Sequence, residues 1–420
     1  MKKTLTFKAC GCLVWFLILF IVTACNNQWN TSPTVTTNCQ HAEVIDPAID
    51  SSCEKTGLTE GKRCSICSEI IVAQEVIPTK VHLYENVTCT VCGYTADHSG
   101  YFNFIPLKSG GYAIAGLKSS EDYPSELLIP SMHEGAPVTT VQFLIPSILN
   151  NATPSLAWEF EGPTERIESV VIPNGVTIIE EGAFAGLEGL SRITISDSVT
   201  FIGKNAFEAC EALTAVYIND LTKWCELEID YYSANSGSPY RVGTPFGYAL
   251  YCNGELVTNL IIPDEVTSIN CLTFFGCNSI KNVTLTSNVT SIGSFAFQGC
   301  DNLKSIEIPG NVKSVGSGAF AHCSSLESVV LCKGFEEIGE YAFRSCENLT
   351  NITIPDSVKF IGIGVFENTS KLISLTYGGT VSQWKTIHLA SNLIYGDWKN
   401  SASFVRIICS DDVIWKEDIS

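Results

Sequence analysis

Residues 303–323 are LKSIEIPGNVKSVGSGAFAHC, and related stretches recur at a 23-residue step from residue 170 onward. Each copy contains two apolar residues separated by one position, such as Ile306 and Ile308, and this alternation is typical of a β-strand. Each copy also has a phenylalanine at the same place. The seven phenylalanines are Phe184, Phe207, Phe274, Phe297, Phe320, Phe343 and Phe366.

A 23-residue unit with one short strand is too small to bury its own apolar side. Stacked units bury that side against each other and form one continuous core. The repeat therefore predicts a solenoid, mainly β with short turns and helices, in which 23-residue coils form a parallel strand ladder. We place this solenoid at residues 170–377, and residues 101–169, where the pattern is looser, as an N-terminal cap with degenerate repeats.

The pattern Leu-x-x-Ile-x-Ile-Pro-x-x-Val-x-x-Ile-Gly-x-x-Ala-Phe-x-x-Cys is clearest at residues 303–320 and 349–366. It resembles the BspA-type leucine-rich repeat of bacterial surface proteins. The resemblance implies an extracellular leucine-rich-repeat protein. Members of this family are associated with adhesion and binding, and the resemblance brings no catalytic residue with it.

The repeat is interrupted once, because Val216 and Leu260 occupy equivalent places but lie 44 residues apart. We predict that residues 219–257 form a protruding insertion with a short helix followed by a hairpin. Asn253 and Gly254 suit a two-residue hairpin turn.

Similar residues follow the last repeat. Tyr377 precedes Trp384 by seven positions, just as Tyr217 precedes Trp224. We therefore predict that residues 378–420 form a C-terminal cap built like the insertion, since a solenoid needs a cap over its last coil.

The N-terminus has the pattern of an export signal. Lys2, Lys3 and Lys8 precede a short apolar run that ends at Val22, and small residues follow. Val-Thr-Ala-Cys at residues 22–25 resembles a bacterial lipobox, which implies a signal peptide at residues 1–24 and lipidation of Cys25. An ordinary signal peptide or an uncleaved anchor is the alternative. Residues 25–38 then form a tether, and we expect an exported protein that is lipid-anchored to the bacterial cell membrane and faces outside the cytoplasm.

Residues 39–98 have a different composition and predict a small Cys/His-rich, zinc-ribbon-like module. Two Cys-x2-Cys pairs suit structural zinc, and the candidate ligands are Cys64, Cys67, Cys89 and Cys92. His41, Cys53 and His82 are possible alternates. Export leaves disulfides and free thiols as open alternatives. We expect no other cofactor.

Five further cysteines stand three residues after a repeat phenylalanine. This position predicts small buried thiols without a redox or metal role. They are Cys210, Cys277, Cys300, Cys323 and Cys346.

The charge balance excludes some classes of partner. The chain has 25 basic and 44 acidic residues, a formal net charge of −19, and no basic cluster that could bind nucleic acid. Sequence motifs of hydrolases, metalloproteases and nucleotide-binding enzymes are absent, so we expect no catalysis. We predict a surface protein that binds a protein or glycan, on a host or a neighbouring cell. A structural or envelope-assembly protein of the cell surface is the alternative.

The binding face follows from the strand pattern. Because side chains alternate along a strand, the residue between two core residues faces outward. Stacked coils would align these residues as one stripe. Its members are Thr194, Tyr217, Ile261, Thr284, Glu307, Val330 and Thr353.

Overall fold

The computed structural model describes most of the repeat region and parts of the segments around it. The described residues are 43–49, 57–66, 68, 70–77, 84–85, 88–89, 92, 95–118, 123–142, 163–230, 247–390 and 406–415. Those up to residue 77 form one compact unit, and those from residue 84 form a second. The predicted lipidation site Cys25 lies outside the described residues.

The first unit consists of short antiparallel strands. Glu43–Asp46 and Ile70–Val72 both pair with Gly61–Cys64. Gly57–Leu58 pairs with Val76–Ile77. In the second unit, Tyr84–Glu85 and Thr88–Cys89 form a separate hairpin.

The second unit is a β-solenoid, as the repeat predicts, and each regular coil contributes one strand to each of two ladders. We call the ladder of longer strands the A ladder; it is divided into two sheets. The N-terminal A ladder contains Glu126–Leu128, Ser169–Ile172, Arg192–Ile195, Ala215–Ile218, Ala249–Cys252 and Glu255–Leu256. The C-terminal A ladder contains Asn259–Ile261, Asn282–Thr284, Ser305–Ile308, Ser328–Leu331, Asn351–Ile354, Ser374–Tyr377, Arg406–Ile408 and Val413–Trp415.

The B ladder is divided in the same way and consists mostly of two-residue strands. Its N-terminal sheet contains Phe102–Pro106, Tyr112–Leu117, Met132–His133, Ala136–Val141, Ile178–Ile179, Phe201–Ile202 and Glu228–Ile229. Its C-terminal sheet contains Ser268–Ile269, Ser291–Ile292, Ser314–Val315, Glu337–Ile338, Phe360–Ile361 and His388–Leu389. Strands of successive regular coils pair in parallel at the 23-residue step, for example Ser169 with Arg192.

The repeat phenylalanines form stacked columns in the core. Ring centroids of Phe297 and Phe320 lie 5.3 Å apart, and the ring planes differ by 2°. Phe274 stacks on Phe297 in the same way, with centroids 5.2 Å apart. Each ring therefore stacks on phenylalanines of other coils, and no coil completes its core alone.

Glycines keep the coils close together. A Cβ atom added to Gly316 would lie 2.4 Å from the backbone nitrogen of Ser294 in the preceding coil. Gly293 and Gly203 have equivalent contacts, at 2.6 Å and 2.4 Å. Glycine is needed at this position because the backbones of adjacent coils approach closely here, and any side chain would push the coils apart.

The insertion is part of the solenoid, which corrects the prediction of a protrusion for its described residues. Ala249–Cys252 pairs in parallel with Ala215–Ile218, and Glu228–Ile229 pairs with Phe201–Ile202. The predicted helix and hairpin are present. Helix α1 spans Leu221–Glu226.

Side chains explain where the insertion turns. The carboxylate of Asp220 accepts hydrogen bonds from the backbone N–H groups of Thr222 and Lys223, which caps α1. Asn253 and Gly254 have φ of 52° and 81°, as a two-residue hairpin turn of the primed type requires.

The residues after the last repeat have the same order of elements. Helix α2, Val381–Trp384, follows the A-ladder strand Ser374–Tyr377 and begins with a capping box between Thr380 and Gln383. The antiparallel pair Arg406–Ile408 and Val413–Trp415 then ends the ladder.

The match between Tyr217 and Tyr377, however, is shifted by one residue. Tyr217 is half-buried on the outer face, whereas Tyr377 is only 2% exposed and packs its ring edge-on against Trp384. Because strand side chains alternate, a shift of one residue transfers a side chain to the opposite face.

Both α1 and α2 are far shorter than a bilayer is thick. Among the described residues, no helix has the length and apolarity needed to span a membrane. The other helical segments within the described residues are the 3-10 turns Ser99–Tyr101 and Pro163–Arg166.

The repeat cysteines are buried thiols, as predicted, and they take part in no disulfide. The Sγ atoms of Cys210 and Cys346 donate to the carbonyl oxygens of Phe184 and Phe320, at 3.1 Å in both cases. Burial raises the pKa of both thiols to about 12. Burial also raises the pKa of Cys323 well above its ordinary value.

These thiols predict a loss of stability at high pH. An unfolded thiol loses its proton near the ordinary pKa of 9.0, whereas the folded thiols keep theirs to about 12. Above pH 9 the unfolded state is therefore favoured by deprotonation, and the folded state loses stability between pH 9 and 12. Cys346→Ser keeps a donor for the Phe320 carbonyl but removes one titrating group. Urea unfolding at pH 7, 9 and 11 should show a smaller alkaline loss for this variant than for wild type. Equal losses would contradict the buried-thiol account.

Candidate functional site

The predicted stripe on the outer face of the A ladder is divided in two. Thr194 pairs with Tyr217, and Tyr217 pairs with Tyr251 rather than with Ile261. Ile261 begins a separate sheet and pairs with Thr284. The prediction of one stripe is therefore wrong, because the hairpin at Cys252–Glu255 turns the chain back and ends the first sheet.

The predicted exposure of Thr194 is also wrong. It lies in the predicted column but is only 8% exposed. Its neighbours in this column, Val171 and Leu128, are also buried and form a small cluster with Ala96. The N-terminal end of the outer face is therefore covered and offers no open surface.

Tyr217 and Tyr251 form an aromatic pair on the N-terminal A ladder. Their ring centroids lie 4.5 Å apart with planes at 17°, so the rings are stacked. Burial and the neighbouring Tyr251 raise the pKa of Tyr217, and the charge of Arg192 opposes this shift. Tyr251 was missed in the sequence. The alternation of Leu250, Tyr251 and Cys252 could have identified it as the next strand of the ladder.

The C-terminal A ladder has the open part of the face. Thr284, Glu307 and Thr353 are exposed, and the register adds Thr376 to the same column. Two apolar members are also exposed. They are Ile261, at 63%, and Val330, at 39%. We call the column from Ile261 to Thr376 the outer stripe.

A polar groove of about 330 Å³ lies between the last repeats and α2. Lys359 and Glu336 line it, and their Nζ and Oε2 atoms lie 2.5 Å apart. The Lys359 ammonium lowers the pKa of the Glu336 carboxyl by hydrogen bonding and charge. These two groups form an ion pair in the wall of the groove, which Asp356 also lines.

The structure describes only part of the predicted metal site. Cys64 and Cys89 are buried and Cys92 is exposed, whereas Cys67, His41, Cys53 and His82 lie outside the described residues. Among the residues that are described, no group of three or more His, Cys, Asp or Glu side chains could hold a metal.

One detail of the Cys64 loop suits a thiolate ligand. The backbone N–H of Ile66 donates to Cys64 Sγ at 3.4 Å, and Ser68 has a φ of 60° directly after the Cys-x2-Cys pair. Amide donors of this kind favour a negatively charged sulfur.

Comparisons with known proteins agree with the repeat architecture. The model of the BspA type leucine-rich repeat region matches residues 159–230 and 245–373, with six copies. No curated protein sequence matches the chain.

Among solved structures, a leucine-rich repeat protein from Bacteroides ovatus ATCC 8483 is 21% identical, and the match covers 68% of this chain and 71% of that one, with a TM-score of 0.40. A leucine rich cell surface protein from Faecalibacterium prausnitzii A2-165 is 22% identical over 71% of this chain and 98% of that one, with a TM-score of 0.26. The recurring 23-residue pattern, the ladders and the six matched copies agree: the chain belongs to the BspA-type leucine-rich-repeat proteins.

Proposed function

We propose that the chain is an exported, lipid-anchored surface protein that binds another protein or a glycan through the outer stripe, without catalysis. The observation that supports this most strongly is the exposure of Ile261 and Val330 among hydroxyl-bearing residues of the same column. Exposed apolar side chains beside hydrogen-bonding groups are common at interfaces.

The separation of inward-facing core residues from outward-facing residues along each strand supports the proposal. In Ser305–Ile308, Ile306 and Ile308 are buried in the core, whereas Glu307 faces solvent. The buried positions are fixed by coil stacking. The outward positions have no such constraint. Their residue types can therefore differ to suit a partner without disturbing the stacking of the coils.

Export and lipidation rest on the sequence of residues 1–25. A protein held at the outer surface by a lipid at Cys25 would present its repeats to the surroundings of the cell. Protease added to intact cells should then remove the repeats, whereas a protein of the inner envelope would be protected.

Matched charge reversals test the binding face. Glu307→Lys places a new cation in the outer stripe, and Glu340→Lys makes the same change at an exposed residue outside the A ladder. Binding of purified variants to mucin-coated sensors and to cultured epithelial cells is the measurement. We expect about tenfold weaker binding for Glu307→Lys and for Val330→Asp, a loss typical of the minority of interface residues that carry most of the binding energy. Glu340→Lys should bind as wild type.

The proposal fails if neither surface retains the wild-type protein, or if all three variants bind equally. Tyr217→Ala tests the aromatic pair in the same assay.

We also propose structural zinc in residues 39–98, held by cysteine thiolates of the two Cys-x2-Cys pairs. Inductively coupled plasma mass spectrometry of the purified full chain should find zinc, and Cys64→Ser should reduce it. Cys332→Ser, in the repeat region, is the matched control and should leave the zinc content unchanged. A metal-free chain whose mass shows oxidised cysteines would contradict zinc and support disulfides.

A further inference from the structure

A second column of side chains lies beside the outer stripe on the C-terminal A ladder. It starts two residues before each member of the stripe, so it faces the same side of the sheet. Strand pairing places the first five of its members side by side on adjacent strands. We call this set the polar column: Asn259, Asn282, Ser305, Ser328, Asn351 and Ser374.

The polar column is rich in hydrogen-bonding capacity. Asn282 Nδ2 donates to Asn259 Oδ1 at 2.7 Å, and Asn351 Nδ2 donates to Thr350 Oγ1 at 2.8 Å. An amide side chain has two N–H donors and an oxygen with two lone pairs. One such bond therefore leaves each amide with groups that can serve a ligand.

The two columns together have almost no formal charge. Glu307 is the one ionisable member of the outer stripe, and the polar column contains none. This contrasts with the chain as a whole, which has a net charge of −19. Within the two columns a charged partner would meet only Glu307, with Arg406 at the end of the polar column, whereas an uncharged polar partner costs less to desolvate than an ion.

The polar column ends at an exposed aromatic ring. Ser374 pairs with Arg406, and Arg406 pairs with Trp415. Trp415 is 46% exposed, and the Arg406 guanidinium lies 5.8 Å from its ring centroid. A cation beside one part of the indole holds the ring in place while leaving apolar surface open.

We propose that this face binds an uncharged glycan chain that runs across the strands, an inference that rests on the proposed function and selects between its two ligand classes. A pyranose ring has hydroxyl groups at its rim and C–H groups on its faces. The rim matches the amides and hydroxyls of the two columns, and a C–H face matches the indole of Trp415. Eight strands span roughly 34 Å at the usual strand spacing, which accommodates several sugar units.

The test uses the purified full chain and three uncharged probes, namely chitohexaose, cellohexaose and maltohexaose. Calorimetric titration should detect binding of at least one of them. Trp415→Ala should weaken this binding about tenfold, as expected for truncation of an aromatic residue that contacts the ligand. Trp415→Phe keeps an apolar ring and should retain most of the affinity.

A second pair of variants tests the polar column. Asn282→Ala should weaken binding of the same oligosaccharide about threefold to tenfold, as expected for a lost hydrogen bond to a ligand. Asn288→Ala changes an exposed asparagine on a neighbouring turn and should have no effect. Thermal unfolding of all four variants shows whether the fold is retained.

Several results would overturn the inference. The inference is wrong if no uncharged oligosaccharide binds, if Trp415→Ala binds as tightly as wild type, or if a sulfated oligosaccharide binds more tightly than the uncharged ones. If the oligosaccharides fail while Glu307→Lys still reduces capture by enzymatically deglycosylated mucin or cells, the glycan inference is wrong and the proposed function stands with a protein partner. If both assays fail, the proposed function fails as well.

Discussion

Stacking of one coil on the next is the interaction on which the rest of this structure depends. Each repeat supplies one ring to the phenylalanine column and obtains its ring contacts from its neighbours. The same dependence holds for polar groups, since Cys346 Sγ donates to the carbonyl of Phe320 in the preceding coil. Glycines such as Gly316 allow this contact by letting backbones approach. A change at any of these positions therefore acts on two coils at once.

The insertion shows how this stacking continues where the repeat is interrupted. Trp224 Nε1 donates to the carbonyl of Thr273 at 2.9 Å, and Tyr248 forms a parallel bridge with Cys277. One hydrophobic cluster consequently extends through both halves of the A ladder. Backbone pairing in the A ladder stops at the hairpin, but the core beneath it continues. The outer face is thus divided while the fold is not.

The sequence was sufficient for most features that depend on the 23-residue period. The solenoid, the A ladder and the buried thiols follow from columns that repeat at constant spacing, but the sequence predicted one strand per coil, and the short strands of the B ladder were missed. The outward orientation of Glu307 and Val330 follows from the same spacing and strand alternation. The other errors occur where the period is lost. Thr194 is buried in the column of Val171 and Leu128, which cluster with Ala96 from outside the repeats, and no periodicity describes that cluster. The aromatic Tyr251 belongs to a strand without the repeat pattern.

Native-state hydrogen exchange tests most directly whether the insertion is a coil of the solenoid. The backbone N–H of Gly247 donates to Gly276 O at 2.9 Å, and that of Asn278 donates to Tyr248 O at 2.8 Å. These amides lie at the junction, and Phe297, whose N–H donates to Ala319 O at 2.8 Å, lies within the regular repeats. If the core is continuous, Gly247 and Asn278 should be protected to nearly the same extent as Phe297. Exchange of Gly247 and Asn278 at the rate of an unstructured loop, with Phe297 still protected, would contradict a single core through both ladders.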